Sequence, residues 1–116
     1  MNNKIKMRVW WQPQVGYGTF YIPVNSPEEA TKILNLLAAY DLFQLKNNIK
    51  PNYCNAGGVQ IWDEEENDWI NWEYETEDDY YDDVEKYCSA KSSEWGNIQE
   101  YIKYLFEQYL LEYTNN

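Results

Sequence analysis

Residues 4–11 alternate without a break, with Ile5, Met7, Val9 and Trp11 on one side and Lys4, Lys6, Arg8 and Trp10 on the other. A period of two belongs to a half-buried strand, so the chain is predicted to open with one. Pro13, Gly16 and Gly18 punctuate a loop, and Phe20, Ile22 and Val24 mark a second strand at about 19–24. Pro23 assigns it to a sheet edge or a strand end. From Ser26 the period changes. Ser26-Pro27-Glu28-Glu29 reads as a cap, a first-turn proline and a capping box, and Ala30, Ile33, Leu34, Leu37 and Ala38 follow at helical spacing. This helix is predicted to run to about Leu45 and to lie on the sheet.

The stretch Asp41–Gly58 then loses its pattern at Lys46-Asn47-Asn48, passes Lys50-Pro51-Asn52, and ends at Gly57-Gly58. Long irregular connections in small domains are usually functional or mobile, so the working surface is expected here. Val59, Ile61 and Trp62 predict a third strand, and Trp69 to Tyr74 a fourth, joined by the charged turn Asp63–Asp68. An acidic connection over Glu75–Asp83 leads to a short helix near 80–90. Ile98, Tyr101, Ile102, Leu105, Phe106, Tyr109, Leu110 and Tyr113 then trace a long helix over about 94–113. The expected fold is α+β: one domain over 1–116, a small antiparallel-type ββαββ sheet followed by C-terminal helices, with the helices packed on the sheet. The wide apolar stripe of the last helix, with Tyr104 and Leu111 outside it, predicts a homo-oligomer.

Charge divides the chain more sharply than its net value of −11 suggests. Residues 1–62 carry six cations against three anions, whereas 63–116 carry three cations against seventeen anions. Such a chain is a poor wrapper of duplex nucleic acid, whose binding depends on neutralising phosphates. No membrane-length apolar run and no secretory leader are read, so a cytoplasmic location is expected. Cys54 and Cys88 fit free thiols, with a single disulfide as the alternative. No histidine is present, which removes the commonest general base and metal ligand.

Several clusters invite chemistry. Asp63–Asp68 lacks the spacing and central glycine of a calcium loop and reads as a solvated turn. Glu77-Asp78-Asp79 with Asp82-Asp83 offers either a solvated linker or a mimic of DNA phosphates. Cys54 has no histidine to activate it and reads as a small buried thiol. No catalytic, metal or cofactor set emerges, and an enzyme is not expected. The loop asparagines leave two readings open. They either make turns, or they give a polar planar ligand hydrogen-bonding edges beside aromatic rings. On the second reading Asn47, Asn48, Asn52 and Asn55 bind base edges, and Gly57 admits close backbone approach. Trp10, Trp11 and Tyr53 then stack, while Arg8 or Lys50 meets a phosphate and Gln12 adds a polar contact. If the first strand is regular, its two tryptophans point to opposite faces, and Trp10 stands beside the cations.

The runs Arg8-Val9-Trp10-Trp11-Gln12-Pro13-Gln14-Val15, Ser26 to Leu37, and Tyr40 to Gln44 followed by Asn47 to Gly58 resemble a family of small bacteriophage proteins. The resemblance covers roughly residues 6–62 and points to the anti-CBASS sponges. It implies a phage-encoded, non-enzymatic protein that sequesters a cyclic dinucleotide immune signal such as 3′3′-cGAMP, blocking host CBASS-type defence. It also implies a homo-oligomer, a tetramer, with no metal. The competing expectation is an acidic protein-binding inhibitor of a host defence protein, acting as a nucleic-acid mimic.

Overall fold

The computed structural model describes residues 6–49, 55–92 and 95–114. Strands β1 (Met7–Gln12), β2 (Phe20–Pro23), β3 (Ala56–Asp63) and β4 (Asp68–Asn71) form an antiparallel sheet in the order β2-β1-β3-β4. Helix α1 (Pro27–Lys46) separates the two strand pairs, and α2 (Val84–Lys91) and α3 (Trp95–Thr114) follow. The architecture is α+β, in the ββαββ-then-helices order that the periodicity predicts. Between β4 and α2 the chain adds a small hairpin, β5 (Tyr74–Glu75) with β6 (Tyr80–Tyr81), where the sequence reads only as an acidic connection.

Register explains the core. Val9 stands opposite both Ile22 and Val59, and Trp11 opposite Phe20 and Gly57. Opposed residues share a face of the pleat, and α1 covers the part of it that holds Val9, Ile22 and Val59, while Phe20 stays exposed. Val9, Val24 and Ala30 are buried at its centre, with Met7, Ile22, Ile33, Leu34 and Val59 packed around them. Fully burying such a side chain contributes about 1.5–3 kcal/mol. Helix α1 touches β1 and β3 of the sheet and also α2 and α3. Helix α1 thus joins the sheet to the later helices, and α2 also meets β6 of the small hairpin.

Local chemistry sets the ends of α1. Ser26 Oγ accepts the Glu29 N–H at 3.1 Å, and Pro27 occupies the first turn. At the far end Asn47 is the C-cap, and its Nδ2 donates to Phe43 O at 2.9 Å. Asn48 takes φ 59°, the left-handed conformation that asparagine tolerates, and Ile49 N–H closes back on Gln44 O at 2.9 Å. Thr31, buried within α1, donates to Pro27 O at 2.9 Å and lies 3.5 Å from the Cys88 sulfur of α2. Within α3, Ile102 is buried and Tyr104 exposed. Among the described residues no helix is long and apolar enough to cross a membrane.

Candidate functional site

The stretch expected to be a binding loop separates into parts. Asn47 and Asn48 terminate α1, through the side chain and backbone of Asn47 and the backbone of Asn48. Lys50, Asn52 and Tyr53, with Cys54, lie outside the described residues. Asn55 is half-buried immediately before β3. Gly57 and Gly58 belong to β3 itself, opposite Trp11 and Trp10 in β1. A Cβ on Gly57 would meet the Trp11 ring, 2.8 Å from Cζ3, and Leu34 Cδ2 at 3.0 Å. One on Gly58 would meet Trp10, 2.5 Å from Nε1. The two glycines let two indoles lie across the neighbouring strand, one on each face. Both glycines thus give clearance to tryptophan.

Trp11 is 4% exposed and belongs to the core. Gln12 Nε2 donates to Thr19 Oγ1 at 2.9 Å and joins the start of β2 to the end of β1. Trp10 is half-buried on the other face. It also forms one wall of a cleft of about 430 Å³ between the first half of β3, α1, and the start of α2. Thr31, Leu34 and Asn35 line it from α1, and Asn71 to Glu73 from the end of β4. Of the residues chosen from sequence, Trp10 and Gly57 line this cleft. Its charged lining is Glu73, Asp82, Asp83 and Glu85, without a cation. Four carboxylates make it a poor receptor for a dianionic nucleotide.

The face of the sheet away from α1 has a different character. Arg8 stands opposite Gln60, Trp10 opposite Tyr21, Gln60 opposite Asn71, and Trp62 opposite Trp69. The core that α1 packs against, centred on Val9, Val24 and Ala30, lies on the opposite face. The Arg8 guanidinium lies 3.8 Å from the centre of the Tyr21 ring and 4.2 Å from that of Trp69, a cation clamped between two rings. Its Nε donates to Gln60 Oε1 at 2.9 Å. Trp62 meets Trp69 edge-on at 5.6 Å. None of these strand positions carries a carboxylate, in a chain with 20 acidic residues. Arg8 and Trp10 were legible as one outward face. Tyr21, Gln60, Trp62 and Trp69 were missed, because only strand order and register bring them beside Arg8.

The acidic segments are built into turns. Asp63 Oδ1 accepts the N–H groups of Glu65 and Glu66, and Asn67 takes φ 55° to close the β3–β4 hairpin. Thr76 Oγ1 accepts from Asp78 and Asp79, and Asp79 pairs with Lys91 at 2.7 Å. Asp83 caps α2 by accepting from Glu85 and Lys86. Tyr74, Tyr81 and Tyr87 cluster with Trp72, fastening the β5–β6 hairpin to α2. Burial, followed by the neighbouring Tyr74, pushes the Tyr87 hydroxyl above its usual range. Burial likewise raises the Cys88 thiol, which is free and fully enclosed. Such a thiol is a packing group, not a nucleophile. Among the described residues, no group of His, Cys, Asp and Glu is placed to hold a metal ion.

The family described as superinfection exclusion gene product 17 matches residues 6–93, from β1 through α2. A superinfection exclusion protein of Salmonella phage P22 is 41% identical over 101 residues, covering 78% of this chain and 96% of that protein. No solved structure matches. These relationships overturn the anti-CBASS assignment. The expected cyclic dinucleotide sponge is withdrawn with it, as is the acidic inhibitor acting as a nucleic-acid mimic. What stands is a bacteriophage affiliation. The chain belongs to the superinfection exclusion gene product 17 family.

Proposed function

We propose that this chain acts in superinfection exclusion, hindering a second phage in a cell that already makes the protein, and that it acts by binding without turnover. The observation that carries the reading is the 41% identity to the phage P22 superinfection exclusion protein across 96% of that protein's length. The family match spans residues 6–93, across sheet, α1 and α2, so it is not a match to one local motif. A binding role is supported by the chemistry available. The sequence has no histidine, and the Cys88 thiol is enclosed with a raised pKa. Both reduce the means for acid–base or nucleophilic catalysis.

The test is plating. Salmonella cells carrying the gene on a plasmid are challenged with a panel of Salmonella phages, beside cells carrying an empty plasmid. A lower efficiency of plating for at least one phage is the expected result. Unchanged plating across the panel, with the protein made and folded, contradicts the reading.

A further inference from the structure

We propose that the open face of the sheet is a docking surface for a partner protein that presents an acidic side chain to Arg8. The proposal rests on the binding role above and names the surface and the chemistry of its partner. A sheet normally leaves a polar face to water, but this one shows Tyr21, Trp62 and Trp69 on the side away from the α1-packed core, with Trp10 at its border with the cleft. Tyr21 is 49% exposed. Tryptophan, tyrosine and arginine dominate the energetic centres of protein interfaces, whereas aspartate and glutamate are depleted there. The face shares that composition, in a chain otherwise crowded with carboxylates.

Arg8 specifies the complement. Two rings and Gln60 fix its guanidinium, so little side-chain entropy remains to be lost on binding. Among the described residues no carboxylate pairs with it. A fixed guanidinium with no carboxylate beside it among the described residues matches one from a partner, which accepts two parallel hydrogen bonds from the fork. Charge also argues against other occupants. A second copy applied through the same face would bring Arg8 toward Arg8 and offer no acid to either. A nucleic acid would meet few cations on a chain of net charge −11, and the guanidinium already covers one face of both the Tyr21 and Trp69 rings.

The experiment places a photo-crosslinking phenylalanine analogue at Tyr21 in the full chain, expressed in Salmonella with and without phage. A control carries it at Tyr104, exposed on α3. The expected result is one protein joined from Tyr21 and not from Tyr104. Purified, that protein should bind the full chain in calorimetry, and Arg8→Glu should weaken binding at least about tenfold. Changing one acidic residue of the partner to lysine should then restore binding to the Arg8→Glu chain. Arg8→Gln replaces Arg8→Glu if melting shows the latter unfolded. No protein joined from Tyr21, a crosslink to a second copy or to nucleic acid, or undiminished binding by a folded Arg8 variant overturns the proposal. Crosslinking does not depend on plating, so the surface and the exclusion function can fail separately.

Discussion

Trp11→Ala is expected to destabilise the protein by about 3–5 kcal/mol, the range for emptying a buried aromatic site. The indole is 4% exposed, faces α1, and lies across Gly57 next to Leu34. Collapse into the space would have to come from α1, which also packs against α2 and α3. Trp10→Ala is expected to cost less, about 1–2 kcal/mol, because its ring is only half-buried. Urea titrations of both variants, compared at equal m, measure the difference. Equal losses would mean that the two faces of β1 are wrongly assigned.

Gly57→Ala is expected to destabilise by about 1–3 kcal/mol through overpacking. The added methyl would press on the Trp11 ring and stand 3.0 Å from Leu34 Cδ2, both held in the core. Backbone strain is not the cause, since the left-handed glycines are Gly16 and Gly18. The origin can be isolated. In the pair Gly57→Ala with Trp11→Leu, the smaller side chain makes room, so the two losses should sum to more than the double variant shows, by roughly 0.5–3 kcal/mol. Strict additivity in denaturant melts would place the cost of Gly57→Ala somewhere other than the Trp11 ring.

Much of the fold was legible because its signals are local. Alternation at Met7–Trp11 marked β1, and the Ser26-Pro27 start and apolar stripe marked α1. The misreading at Gly57-Gly58 has a physical cause. A residue without a side chain contributes nothing to a periodic pattern, so a glycine pair inside β3 looks like loop. Its reason to exist lies in the partner strand, where two adjacent tryptophans need room. The β5–β6 hairpin escaped for a related reason, since its two-residue strands are held by tyrosines that meet only across the turn and on α2.

The candidate site was half legible. Arg8 beside Trp10 followed from alternation, whereas the clamp of Tyr21, Trp69 and Gln60 needed the order β2-β1-β3-β4. The false resemblance is instructive in the same terms. Ser26, Asn47, Asn48, Trp11 and Gly57 all contributed to it, and the structure gives each a role in capping or packing. Residues that keep a fold carry little information about a ligand.

Helix α1 and the buried face of the sheet make the scaffold, and the open face is the proposed seat of exclusion. The most direct measurement is plating of the challenge phages on cells making wild type, Arg8→Glu, or Lys32→Glu, a charge reversal at an exposed position of α1. All three proteins are first shown to be folded by thermal melting. Wild type and Lys32→Glu should lower plating alike, and Arg8→Glu should let the phages plate as on cells without the protein. Exclusion by folded Arg8→Glu equal to wild type, or no exclusion by wild type itself, would contradict the account.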